Sequence, residues 1–141
     1  PHTLVEFGDY SCPHTRAAQP ELERLLNSRP DLRLVFRHLP LEDDHPDAPL
    51  AAEAAEAAGV QGRFWDMHDR LLAETDTIPA AELVDHARAL GLDLYRFSSD
   101  LRYRVHAPAV AADVDSARRS GVPGTPAFYL DGEPVRALGE I

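Results

Sequence analysis

Residues Thr3 to Gly8 (TLVEFG) form a short apolar run that ends in a Gly-Asp turn, the pattern of a buried strand. Pro13 then fits the first turn of a helix, where its missing N–H costs nothing. Ala17, Ala18, Leu22, Leu25 and Leu26 make an apolar stripe at helical spacing behind it. Pro20 falls inside that stripe and is expected to kink the helix or end its first segment. After a turn at Asn27 to Asp31, Leu32 to Leu39 alternates: Leu32, Leu34 and Phe36 point one way, and Arg33, Val35 and Arg37 the other. Strand, helix and strand within forty residues predict a right-handed parallel βαβ unit.

The period then changes. Pro40 to Pro49 is a polar, proline-rich loop. Helical patterns follow at Ala48 to Ala58, Phe64 to Glu74, Ala80 to Leu90, Leu94 to Tyr103 and Pro108 to Arg119, punctuated by Gly59, Gly62, Gly91 and Gly121. Asp76 to Pro79 reads as a capped entry to the third of them. The last segment returns to strands. Ala127 to Leu130 and Glu133 to Arg136 flank Asp131-Gly132, a hairpin signal, and Pro134 assigns the second strand to a sheet edge. The pattern predicts an α/β chain with one domain over residues 1–141: a βαβ unit (1–40), an all-helical insertion (41–120) and a hairpin (121–141).

Composition narrows the function. The formal net charge is −10, which disfavours nucleic acid and anionic membrane surfaces as partners. No apolar run is long enough to cross a bilayer. All 14 cationic residues are arginine, which reads as composition bias and not as chemistry. Gly-rich phosphate loops and Ser/His/Asp esterase patterns are absent. Asp43, Asp44, His45 and Asp47, with His38 or His68, are metal-binding types, but their spacing follows no metal loop, so a solvated acidic loop is the better reading and no metal is expected. Phe64, Trp65, Met67, His68 and Leu71 are spaced for core packing, with Trp65 and Met67 the alternative lining of a peptide groove.

The chain holds one cysteine, Cys12, directly before the predicted helix. A single cysteine excludes an internal disulfide and a thiolate-cluster zinc site. A lone cysteine is ordinarily a small buried hydrophobe. At a helix N-terminus, however, the amides and the macrodipole favour negative charge, and a thiol attacks as its thiolate. The amides of His14 and Thr15 remain after Pro13, a protonated His14 adds a cation, and the Thr15 hydroxyl is a donor for the sulfur. Glu6, if inward-facing, is a candidate buried proton acceptor; Asp9 and Tyr10 are candidates to shape the groove, with structural capping the alternative for Asp9.

The strand leading into Cys12-Pro13-His14, the helical insertion and Val122-Pro123-Gly124-Thr125-Pro126 before a hairpin together resemble the DsbA family of thioredoxin-like proteins. The stretches RHLPL, AAEAAEAAG, FWDMHDRLL and DVDSARRSGVPGTPAFYLDG extend the resemblance over nearly the whole chain. More narrowly they resemble the thioredoxin-like domains fused to bacterial sodium/proton antiporters. The resemblance implies a DsbA-like thioredoxin fold, a cis peptide at Pro126, and pairing of the Thr125 backbone with a substrate strand beside Cys12. It also implies a final helix, of which ALGEI is only the entrance. The family motif is C-P-H-C; Thr15 replaces its second cysteine.

That replacement sets the expected chemistry. Thr15 cannot resolve a mixed disulfide, so Cys12 would form one with a protein or small-molecule disulfide and wait for an outside thiol such as glutathione. On this reading Cys12, His14 and Thr15 are catalytic, and Pro13, Thr125 and Pro126 bind substrate. No cofactor is expected beyond glutathione as a co-substrate. Two other readings stand beside it: a non-catalytic binding or regulatory module tethered to an antiporter, and a thiol peroxidase passing through sulfenic acid. The resemblance leaves the compartment open, since exported members are periplasmic and an antiporter-tethered copy would face the cytoplasm.

Overall fold

β-branched and aromatic residues in the first strand, an alanine-rich second helix and a glycine-containing hairpin set the three parts of the architecture. A computed structural model describes residues 1–75 and 77–141, so the capped entry expected at Asp76 lies outside the described residues. The order is β1 (His2–Gly8), α1 (Pro13–Ser28), β2 (Leu32–His38), α2 (Ala48–Gly59), α3 (Phe64–Leu72), α4 (Ala80–Ala89), α5 (Leu94–Arg102), α6 (Ala107–Arg119), β3 (Ala127–Leu130), β4 (Glu133–Val135) and a terminal 3₁₀ turn, Leu138–Glu140.

The sheet order is β2-β1-β3-β4. β1 runs parallel to β2, pairing Glu6 with Phe36, and antiparallel to β3, pairing Glu6 with Phe128. Pro134 sits opposite Tyr129 on β4, the edge strand, where its missing donor breaks no ladder. Asp131 and Gly132 both have positive φ, 49° and 88°, as a primed hairpin turn requires. The chain therefore has a thioredoxin fold interrupted by a helical insertion between β2 and β3.

α1 and α6 cover opposite faces of the sheet. On one face Leu4 packs with Leu22 of α1, Phe128 of β3 and Leu138. On the other, Arg37 Nη1 donates to Ser116 Oγ at 3.0 Å, and Asp113 Oδ2 accepts from the His38 backbone N–H at 3.0 Å, tying α6 to β2. The insertion has its own core. Ala51, Ala54, Ala55, Ala57 and Ala58 of α2 are fully buried against Met67, Leu71, Leu83 and Phe97. The many alanines of α2 let neighbouring helices approach closely, so the insertion builds a dense core from few large residues.

One expectation is corrected. α1 continues without interruption from Pro13 to Ser28, so Pro20 does not end a segment. Pro20 is exposed, and the intact turns on either side carry the helix past the one missing hydrogen bond. Met67 is fully buried, which places it in the core and not in a groove, whereas Trp65 is 46% exposed.

Candidate functional site

The turn between β1 and α1 is organised by Asp9. Its carbonyl accepts from Cys12 N at 3.0 Å, and its N–H donates to Thr15 Oγ1 at 3.3 Å. Its carboxylate accepts from Ser11 N (2.8 Å) through Oδ1, and from Leu41 N and His45 Nδ1 (both 2.9 Å) through Oδ2. One buried side chain thus ties the turn to the loop after β2. Buried backbone donors need such partners, and an ionised acceptor serves several at once.

The geometry delivers Cys12 to the N-cap of α1. Its backbone is extended (φ −79°, ψ 122°), and its carbonyl accepts from Arg16 N at 3.1 Å, so the helix begins at the next residue. No side chain caps this end. Cys12 is 3% exposed. Its Sγ approaches the Thr125 carbonyl oxygen to 3.8 Å, and the Thr125–Pro126 bond is cis. Cys12, Thr125 and Pro126, separated by over a hundred residues in sequence, therefore share one site.

The other expected site residues divide. Pro13 and His14 are exposed on the first turn of α1. Thr15 is fully buried, and the bond it makes is the one from Asp9 N. The hydroxyl expected to donate to the sulfur instead anchors the turn as an acceptor, and among the described residues the partner seen for Cys12 Sγ is the Thr125 carbonyl.

Beneath the helix lies a second layer of titratable groups. β1 alternates, so Glu6 shares the α1-facing side with Leu4 and Gly8. Leu4 meets Leu22, and the Gly8 Cα faces Thr15 and Phe36, which sets Glu6 under α1 between those two levels. Glu6 is fully buried, and neither carboxylate oxygen has a partner among the described residues. Burial pushes its carboxyl up to about 8. The neutral acid is the form such surroundings favour.

Next to it, Tyr10 OH and His68 Nδ1 are 2.8 Å apart, and Tyr10 stacks on Phe36 with ring centroids 5.1 Å apart. Burial, followed by the carboxylates of Glu6, Glu56 and Asp69, holds the Tyr10 phenol well above its ordinary range. Burial, with His38 adding to it, depresses His68 to about 3. The imidazole is therefore neutral, and the Tyr10–His68 hydrogen bond runs from the phenol to Nδ1 or from Nδ1 to the phenol according to the tautomer.

Sequence reasoning reached Glu6, Asp9 and Tyr10 as candidates but missed the role of His45. It read His45 as part of a solvated acidic loop, and no local pattern announces a partner 36 positions away. The structure instead turns His45 inward onto Asp9. The neighbouring Asp43 and Asp44 are exposed, as a solvated loop requires.

Chemically, the site offers a thiol at a helix N-terminus, a backbone carbonyl facing it, and a hydroxyl where a resolving thiol would stand. Sulfur in this position can attack a disulfide; oxygen at Thr15 cannot complete the exchange.

Comparison with known proteins bears on this arrangement. The Na(+)/H(+) antiporter NhaA 1 of Salinispora arenicola is 50% identical over 132 residues, which cover 94% of this chain and 20% of that protein. A Herminiimonas arsenicoxydans Na(+)/H(+) antiporter NhaA is 38% identical over 135 residues, 95% of this chain and 21% of the relative. The chain thus spans about a fifth of the length of these relatives, and among the described residues no helix is long and apolar enough to cross a membrane. A solved thioredoxin-like oxidoreductase from Silicibacter pomeroyi DSS-3 superposes with a TM-score of 0.85 at 31% identity, covering 96% of this chain and 78% of that one. Oxidised BdbD from Bacillus subtilis shares the fold, with a TM-score of 0.83 at 24% identity over 96% of this chain and 79% of that one. The family model for the DSBA-like thioredoxin domain matches residues 3–140, and with the Cys-Pro-His turn, the cis Thr125–Pro126 bond and the inserted helices in place, the chain belongs to that family.

Proposed function

We propose that this domain carries out thiol–disulfide exchange through Cys12 alone. The Cys12 thiolate attacks one sulfur of a substrate disulfide; a Cys12–substrate disulfide forms, and the other substrate sulfur leaves as a thiolate. An external thiolate, glutathione in this reading, then attacks the substrate sulfur of that bond. Cys12 leaves as thiolate, and a glutathione–substrate disulfide is the product. Sulfur oxidation states balance at each step, and no further oxidant is needed. His14 and Thr15 belong to the environment of the sulfur, and the Thr125 backbone aligns an extended substrate beside it.

The observation carrying this reading is the 3.8 Å approach of Cys12 Sγ to the Thr125 carbonyl at the start of a 16-residue helix. Glu6, buried under α1 and holding its proton up to about 8, cannot accept the thiol proton at neutral pH, so the acceptor role expected of it falls away. The test is incubation with oxidised glutathione, followed by intact-mass measurement. A single glutathionyl adduct, absent in Cys12→Ser and released by reduced glutathione, is the expected result. No adduct under native conditions, with rapid modification only after unfolding, overturns exchange. Rapid sulfenate formation with hydrogen peroxide but no adduct points to peroxide chemistry instead.

A second reading draws on the relatives named as antiporters and on the 3% exposure of Cys12. In it the domain is tethered to a membrane transporter and binds a partner without turnover. Normal transport regulation by a Cys12→Ser domain in a full-length protein would favour it over exchange.

A further inference from the structure

A cleft of about 310 Å³ opens between α1 and α3; Cys12 is not in its lining, although His68 in its wall is hydrogen-bonded to Tyr10 of the β1–α1 turn. Gln19 and Glu23 of α1 line one side, Trp65, His68 and Asp69 of α3 the other, and Leu34 of β2 contributes to the wall. Its polar groups are incompletely matched. Gln19 Nε2 donates to Glu23 Oε1 at 3.2 Å, yet Gln19 Oε1 is buried without a partner. His68 is 1% exposed; its Nδ1 is taken by Tyr10, and its Nε2 has no hydrogen-bond partner. The unmatched Nε2 is a donor or an acceptor according to the tautomer.

The charges are also one-sided. Glu23 and Asp69 have no ion pair among the described residues, whereas the adjacent Asp66 is held by Arg63 at 2.5 Å. Burial, then Glu23 and then Asp66, push the Asp69 carboxyl above its ordinary range. Two carboxylates that repel each other beside a half-exposed indole describe a site complementary to a flat cation. Trp65 stands edge-on to His68, with ring centroids 5.1 Å apart, and this contact holds the indole at the cleft.

We propose that this cleft binds an arginine side chain of a partner peptide, its guanidinium lying on Trp65 between the Glu23 and Asp69 carboxylates. Arginine fits where lysine does not. Its planar fork stacks on an aromatic face while donating to carboxylates, and it still has an N–H for Gln19 Oε1. A peptide backbone, which carries both C=O and N–H, can match His68 Nε2 in either tautomer once the Trp65 edge packed on that ring moves aside. An apolar ligand would leave both buried atoms unmatched, and an anion would meet two carboxylates. None of the residues assigned to the Cys12 reaction lines the cleft.

Trp65 is the only tryptophan in the chain, so its indole resonance and its fluorescence report on the cleft directly. The full chain is titrated with an N-acetylated, C-amidated Gly-Arg-Gly peptide, with its citrulline and lysine analogues, and with free arginine amide. Saturable movement of the Trp65 indole signal by the arginine peptide is expected. Binding should be weaker by at least about tenfold for the citrulline peptide, which keeps the shape and loses the charge. The same loss is expected in an E23Q/D69N variant, whose substitutions fall on exposed side chains, with its melting temperature unchanged. Added salt should weaken binding throughout.

Equal binding of the citrulline peptide, unaltered binding by E23Q/D69N, or no saturable Trp65 response up to about 10 mM peptide overturns the proposal. Free arginine amide binding as tightly as the peptide overturns the peptide assignment.

Discussion

His45 Nδ1 lies 2.9 Å from the Oδ2 of Asp9, a carboxylate with no exposed side-chain surface that also accepts from the backbone of Ser11 and Leu41. Two segments that are remote in sequence are joined at the turn that carries Cys12. Asp9→Ala strands two backbone donors and the His45 ring, and a cost of about 2–4 kcal/mol is expected. His45→Ala leaves the backbone donors in place and costs less, about 1–2 kcal/mol. Both variants should speed alkylation of Cys12 in the native protein, because its 3% exposure depends on the turn staying closed. Urea melts and alkylation rates give the two readings. Wild-type stability and wild-type alkylation in Asp9→Ala would show that the carboxylate organises nothing.

Gly8 ends β1 against the ring of Phe36. A Cβ there would stand 2.5 Å from Cε1 and 2.7 Å from Cζ of that ring, and 3.1 Å from Cγ2 of Thr15. Phe36 is itself stacked on Tyr10, so it has little room to retreat. Gly8→Ala is expected to cost about 1–3 kcal/mol by overpacking. Phe36→Leu in the same chain should recover part of that loss, which a purely backbone effect at Gly8 would not allow. A double-mutant cycle decides between them.

Glu6 and His68 impose opposite pH dependences. Glu6 keeps its proton in the folded chain up to about 8, against an ordinary value of 4.5. Between those values the native state binds the extra proton, so its contribution is complete below 4.5 and is lost as pH rises through 8. His68 stays neutral down to about 3, against an ordinary 6.5. There the unfolded chain binds the extra proton, and stability is lost as pH falls from 6.5 towards 3. Between 4.5 and 6.5 the two slopes cancel. Above that range Glu6 acts alone, and about 2 kcal/mol should be lost from pH 6.5 to 8. Glu6→Gln should abolish the alkaline loss and leave the acid loss intact. Urea melts at about pH 3.5, 5.5 and 8.5 measure both, the acid loss emerging below 4.5 and the alkaline loss above 6.5. A Glu6→Gln chain that still loses the same stability at pH 8.5 would move the effect to another group.

Much of this arrangement was legible from local pattern. Strand alternation in Leu32–His38, the Asp131-Gly132 turn and the helical stripes are properties of short windows, and the elements formed where those windows placed them. The helix through Pro20 was not legible, because the intact turns on either side that carry it past one missing bond are held on the sheet by packing of Leu22 on Leu4 and Phe128, a tertiary contact. At the site, Cys12 announced itself by uniqueness and by its place before a helix. The inward Glu6 was only weakly indicated, since alternation fixes two faces but not which one is covered. The Asp9–His45 contact and the Tyr10–His68 pair left no sequence signal at all. Each joins residues 36 or 58 positions apart through tertiary folding.

Thr15 sits three positions after Cys12, on the first turn of the same helix, fully buried and bonded to Asp9 N. If this geometry is that of an exchange site with one thiol removed, Thr15→Cys should restore the missing step. Sulfur fills the volume of the hydroxyl and methyl poorly, and Asp9 N loses its acceptor, so a cost of about 1 kcal/mol is expected. Against that, the introduced thiol stands next to any mixed disulfide on Cys12 and attacks it within the molecule. The glutathione adduct, persistent in the parent chain, should then decay at least about 100-fold faster, since intramolecular attack replaces collision with a dilute outside thiol. Acid-quenched mass spectra should show the adduct replaced by an internal disulfide, two mass units below the reduced variant by loss of about two hydrogens. A long-lived adduct in Thr15→Cys would mean that position 15 is turned away from the sulfur, and the exchange geometry assigned to this turn would fail with it.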